Sequence, residues 1–198
     1  MTDPHDQRWK PDPERDVVLD ARLLRTLSHP MRIKIVGLLR LHGPATATTL
    51  AQRLGVNTGA TSYHLRELAK AGLVTEDADR GNARDRWWKA AHRSTYLERL
   101  DFVDSDPEIA LGYLRGVAQI NAEAMFRAVD ELPTLPAEWR EAGTISDYSF
   151  HLTPDQLHDL LGEVEAVLAR YRTEDDDPHP PGARSVAVQI QAFPREGL

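Results

Sequence analysis

Between Thr58 and Arg93 the chain gathers side chains suited to recognising a polyanion. Thr58, Thr61, Ser62 and Tyr63 bring hydroxyls, which can meet a phosphate oxygen or a base edge. Gly59 among them permits close backbone approach. Arg66, one turn further on, can pair bidentately with a guanine or clamp a phosphate. From Arg80 to Arg93 five basic groups stand against one acid, Asp85, and Arg80, Asn82, Arg84 and Arg86 are the expected contacts of a second footprint. None of this is the chemistry of bond making. The sequence has no glycine-rich phosphate loop and no Gly-x-Ser-x-Gly elbow, so no catalytic residue and no enzyme is expected. It also has no cysteine, which removes disulfides, thiolate metal sites and a cysteine nucleophile. His151 and His158 lie near Asp155 and Asp159 at a spacing that matches no metal motif, so neither metal nor cofactor is expected.

The overall charge points the other way until it is resolved along the chain. The 198 residues carry 31 acidic and 24 basic groups, a formal net charge of −7. Residues 1–19 sum to −2, residues 20–100 to +7 and residues 101–198 to −12. An asymmetry of this size assigns a polyanion partner to the middle segment and turns the acidic half away from it. No apolar run approaches the ~20 residues a membrane span needs, and the start reads neither as a signal peptide nor as an anchor. A soluble cytoplasmic protein with no membrane partner is expected.

The positioning elements follow from caps, breakers and periodicity. Residues 1–16 read as a mobile tail. Asp20 caps a helix to Leu27, and Pro30 opens the next, which runs to about Leu41 and ends at Gly43-Pro44. Thr46 or Thr48 caps a short helix, Leu50–Leu54, closed by Gly55. Asn57 or Thr58 caps a helix to Ala71, with Gly72 after it and Leu65 and Leu68 facing inward. Residues 73–76 and 84–91 read as two strands around a turn at 79–82, with parity leaving open which of Trp87 and Trp88 is core. Two helices joined by a tight turn and followed by a β-hairpin make a winged helix-turn-helix, here spanning residues 17–93.

Residues 94–198 form the remainder. A helical stretch is expected from Tyr96 to Val103, then a long helix from Pro107 to Leu132 with an apolar face broad enough to need cover on two sides. Gly112-x-x-x-Gly116 within it either brings two helices close or fits a bulky neighbour. Alternation predicts strands over 144–152 and 185–193 around a helix from Thr153 to about Arg172, with an acidic, proline-rich loop over 173–183. The fold class is thus α+β and mostly helical: a winged helix-turn-helix, a long dimerisation helix and a small β-α-β extension. Two strands alone are marginal, so they need the long helix or a partner chain against them.

The stretch from Leu23 to Ala91 resembles the winged helix of ArsR-type (arsenic-repressor-like) transcription regulators. The matching residues are Leu27-Ser28-His29-Pro30-Met31-Arg32, Leu50-Ala51-x-x-Leu54-Gly55, Ser62-x-His64-Leu65-x-x-Leu68-x-x-x-Gly72-Leu73-Val74, and Arg84-x-Arg86-Trp87-Trp88-Lys89. The resemblance implies a cytoplasmic, homodimeric repressor that binds double-stranded DNA, with Ser62 and His64 among its contacts. Recognition helix 58–71 and wing 73–91 would read a palindromic operator. The family's metal sensing does not carry over, because its cysteines are absent. The residues after 94 exceed the compact family pattern; they serve dimerisation or hold a small organic effector, with Tyr113, Phe126, Trp139, Tyr148 and Phe150 as candidate walls or plain core. A winged-helix protein-interaction module without DNA binding is the rival reading.

Overall fold

The structure is a computed structural model that describes residues 11–80, 86–97, 102–171 and 180–195. The chain divides into two units, one spanning Pro11–Leu135 and the other residues 136–198 together with the first ten residues.

In the first unit, the first four helices each start on a side chain that caps their first turn. Helix α1 (Ala21–Leu27) begins where the Asp20 carboxylate accepts the Leu23 amide at 2.7 Å. Helix α2 (Pro30–His42) is capped by the His29 imidazole, whose Nδ1 accepts the Met31 amide at 3.2 Å, and Pro30 fills the first turn, where a missing N–H costs nothing. Thr46 caps α3 (Ala47–Leu54) and Asn57 caps α4 (Thr58–Lys70), satisfying amides that a helix start leaves orphaned. Between α3 and α4, Gly55 adopts φ +65°, a left-handed conformation that reverses the chain in a single step.

Leu24, Ile35, Leu50, Leu65, Leu68 and Leu73 are fully buried, and the core formed around them joins all four helices. Against it lies a three-stranded antiparallel sheet ordered β2 (Ala45–Thr46), β4 (Trp87–Ala90), β3 (Val74–Glu76), with Ala45 opposite Trp88 and Val74 opposite Ala90. Trp88 is the buried member of its pair and Trp87 is half-exposed, which resolves the choice that strand parity leaves open.

Two findings here depart from the sequence reading. Asp16–Val18 forms a strand, β1, which pairs in parallel with β5 (Ser94–Tyr96), so the chain is ordered before residue 17. Tyr96 is therefore strand and not the start of a helix; its carbonyl accepts the Leu19 amide at 2.8 Å. Side chains lock this seam. Asp16 is buried and ion-paired with Arg93 at 3.4 Å, while Arg40 of α2 donates to the His92 carbonyl at 2.9 Å and the Thr95 hydroxyl at 2.7 Å. Burial works to raise the Asp16 carboxyl, but the Asp12 backbone hydrogen bond and Arg93 outweigh it and hold the pKa below the ordinary value.

A short helix α5 (Phe102–Ser105) leads into α6 (Pro107–Glu131), which packs on α1 and α2. The glycine pair belongs to that contact. Gly116 is buried where a Cβ would stand 2.9 Å from Ile33 Cδ1, and Gly112 faces Ser28. Lys34 of α2 and Glu123 of α6 form an ion pair at 2.7 Å, and Lys34 holds the Glu123 carboxyl below its usual range. The spacing of small residues thus fits bulky neighbours within the chain.

In the second unit, α7 (Ala137–Ala142) was not anticipated, whereas α8 (Pro154–Ala169) opens on a reciprocal capping box between Thr153 and Gln156. Segments 144–152 and 185–193 form no strand among the described residues, contrary to the β-α-β expectation. Alternation of apolar residues alone does not make a strand; a ladder also needs backbone partners and a covered face.

Candidate nucleic-acid interface

Helix α4 follows α3 across the Gly55 turn and turns two surfaces in different directions. Thr61, His64, Leu65 and Leu68 point inward. Thr58, Gly59, Tyr63 and Arg66 are exposed, with Ser62 half-exposed between them. The exposed set holds the hydroxyls and guanidinium that the sequence singled out, and Tyr63 is 52% exposed despite its size. Gly59 has a local reason as well: a Cβ there would sit 3.2 Å from the Asn57 cap oxygen.

Two of the expected contact residues are placed inside. Thr61 is fully buried, its hydroxyl within hydrogen-bond distance of the carbonyls of Ala47 (2.9 Å) and Thr58 (3.0 Å), so it ties α4 to α3. His64 is 8% exposed and stacks at a tilt on His29, ring centroids 4.5 Å apart, with Tyr63 edge-on at 5.4 Å. Its Nδ1 is buried without a hydrogen-bond partner. Burial first, then the charges of His29 and Arg32, depress the His64 pKa. His64 is a packing imidazole behind the presented surface, at the junction of the α2 cap and α4.

Across from α4, the hairpin contributes Arg86. Its guanidinium lies 5.8 Å above the Trp88 ring and 3.3 Å from Glu76. The Trp88 ring and the Glu76 carboxylate hold the guanidinium, while the side chain as a whole stays exposed. Arg66, also exposed, donates from Nε to the Ser62 carbonyl at 3.1 Å, which orients its terminal nitrogens away from the helix. Between these two arginines lies a cleft of about 310 Å³ lined by Thr46, Ala47, Thr48, Ser62, Arg66, Arg86 and Trp88. Thr46 and Thr48 are members that sequence reasoning had read only as helix caps. Their signal is weak in the sequence, since the start of α3 meets the hairpin through the β2–β4 pairing of Ala45 with Trp88 and Thr46 with Trp87, more than forty residues apart.

The wing is less positive than its composition suggests. Arg80 and Lys89 both pair with Asp77, at 3.5 and 3.3 Å, and Asp77 is itself buried. Asn82 and Arg84 lie outside the described residues.

Residues 27–77 match the family described as "Helix-turn-helix domain", which covers α2, α3, α4 and β3. No curated protein matches the chain. Among solved structures, the chain is similar to the apo form of a C30AH42A mutant of Lactococcus lactis ZitR, at 10% identity over 73% of this chain and 84% of that one, with a TM-score of 0.32. It is similar to the transcriptional regulator Tm0710 of Thermotoga maritima at 15% identity, over 72% of this chain and 78% of that one, TM-score 0.30. RV1404 of Mycobacterium tuberculosis aligns at 19% identity over 75% and 85% of the two chains, TM-score 0.30.

Proposed function

We propose that the chain is a sequence-specific DNA-binding transcription regulator, acting as a dimeric repressor on a palindromic operator. The observation that carries this reading is the cleft between α4 and the hairpin, where two exposed guanidiniums and three hydroxyls converge beside the start of α3. Anions favour such places, because the orphan amides of a helix N-terminus and its dipole both attract negative charge. In the reading, α4 enters the major groove, Arg66 and Tyr63 face the base edges, and Arg86 with Thr46 and Thr48 holds the flanking phosphates.

Dimerisation is supported by α6. Its side toward α1 and α2 is occupied by Ile109, Tyr113 and Gly116. Met125, Val129 and Leu132 continue the stripe of Leu114 and Ala118 on the other side, exposed. A second copy against that stripe would set two recognition helices on one DNA face, about one helical turn apart. Selection of bound fragments from genomic DNA by the purified protein tests the reading. An enriched inverted repeat supports it, and enrichment of no sequence, or binding that is flat between low and moderate salt, overturns it.

A further inference from the structure

Two imidazoles meet where the start of α2 touches α4. The rings of His29 and His64 have centroids 4.5 Å apart and are inclined at 56°. Each is held in a form that a proton would spoil. His29 Nδ1 accepts the Met31 amide at 3.2 Å and caps α2, and an imidazolium has no acceptor to offer. His64 is buried, and its Nδ1 is enclosed with no hydrogen-bond partner. Protonated, both of its ring nitrogens are donors, one of them shut away from any acceptor.

The charges that act on His64 come from α2. They are His29 itself and Arg32, whose Nη1 donates to the Thr26 carbonyl at 3.0 Å. Burial first, and then these two groups, disfavour a proton there. Elsewhere on α2, Lys34 pairs with Glu123, Arg40 reaches Thr95, and His42 stands at the opposite end. Of the other elements packed on α4, α3 carries Arg53, and β3 carries Glu76, which pairs with Arg86. On α4 itself, Glu67 pairs with Lys70 at 2.6 Å. Beside the α2 start, Arg25 of α1 pairs with Asp106, and Glu108 and Arg115 of α6 stand one turn from Gly112, which faces Ser28. Among the described residues no carboxylate acts on His64, so a proton there gains no counterion.

We propose that the His29–His64 pair positions the recognition helix for DNA and releases it on protonation, so that acid turns operator binding off through α4. This control rests on the DNA-binding reading of α4. A proton on either ring works in the same direction. On His29 it removes the α2 cap, and on His64 it drives the ring from its pocket. Helix α4 stays tied to α3 through the Thr61 hydroxyl on the Ala47 carbonyl. It therefore turns about that contact and displaces Tyr63, which meets His64 edge-on at 5.4 Å, and with it the exposed Arg66. The sign is diagnostic. Histidines that gain charge on an ordinary basic surface tighten binding to a polyanion, whereas here acid weakens it.

Fluorescence anisotropy of an enriched operator fragment at constant salt, from pH 7.5 to 5.5, reads the effect. The wild-type dissociation constant is expected to rise by about tenfold or more, since a proton that must leave before binding costs up to about tenfold per pH unit. His64→Phe keeps an aromatic ring in the pocket and takes no proton, and His29→Asn keeps a capping acceptor. Each is expected to flatten the rise to less than about threefold, relative to its own affinity at pH 7.5. A wild-type constant that holds steady or falls in acid overturns the switch and leaves the DNA-binding reading standing, as does a rise that both variants share. Absence of operator binding at pH 7.5 overturns the DNA-binding reading and the switch with it. Heteronuclear NMR of the free wild-type chain over the same range keeps the test open if a variant fails to fold. The Met31 and Tyr63 amides are expected to follow one titration curve with the His64 ring, while the Leu50 amide of α3 stays in place. Unlinked curves overturn the coupling.

Discussion

The two units were built from similar local signals and differ in what those signals meet. Asn57 caps α4 and Thr153 caps α8 by the same chemistry. In the first unit, Leu65 and Leu68 of α4 land on α2 and the sheet and are lost to solvent entirely. In the second, Leu160 and Val167 of α8 stay exposed, as do the large apolar residues of segments 144–152 and 185–193. Good helix propensity and alternation specify elements, whereas burial needs a neighbour of complementary shape. Where the chain supplies that neighbour a core forms; where it does not, the apolar face is a surface awaiting one.

The comparison can be broken at several points. The largest effect is expected from Arg66→Glu combined with Arg86→Glu. Reversing both cations flanking the cleft should cost about 4 kcal/mol of DNA binding, roughly a thousandfold, with melting temperature and dimer retained. Loss of binding together with loss of fold would remove the distinction between surface and core. Next, Leu65→Ala should destabilise by about 2–5 kcal/mol in denaturant titration, while Leu160→Ala costs less than about 1 kcal/mol. Equal costs would show that the second unit has a core of its own. A smaller effect, about 1 kcal/mol, is expected from Asn57→Ala, because the Ala60 amide loses its acceptor.

The smallest effect sharpens the role of His64. Its pKa is depressed in the folded chain, so the unfolded state binds the proton more readily. Its contribution to stability is complete above the ordinary histidine range and is lost as pH falls through that range toward the folded value. Thermal melts from pH 7.5 to 5.5 should fall more steeply for the wild-type chain than for His64→Leu. Parallel profiles would mean that His64 is not the buried group described.

Much of the helix-turn-helix was legible because its punctuation is local. Asp20, Pro30, Gly55, Asn57 and Gly72 each act within a few residues of where they stand. The exposed α4 residues followed from helical spacing. The rest depended on distant partners. Nothing near Asp16 announces that it pairs beside Ser94, and without that pairing Tyr96 reads as well in a helix. Resemblance offered His64 as a DNA contact, and only its packing on His29 turns it inward. The wing arginines counted as free charges until Asp77 and Glu76 were seen beside them on the hairpin. In the second unit, alternation reads as strands over 144–152 and 185–193, but a strand needs backbone partners, and the described residues supply none there.

The seam between β1 and β5 sets an order of events during synthesis. Strand β1 is made almost eighty residues before its partner. Helices α1 to α4 can begin to assemble as they emerge, whereas β4 of the hairpin must reach back more than forty residues to pair with β2. The clasp of Asp16 on Arg93, and of Arg40 on Thr95, closes only after the hairpin has been completed. Strand β1 is thus fastened only after the recognition helix has been made, and a fusion placed immediately before Asp16 would act on that later step.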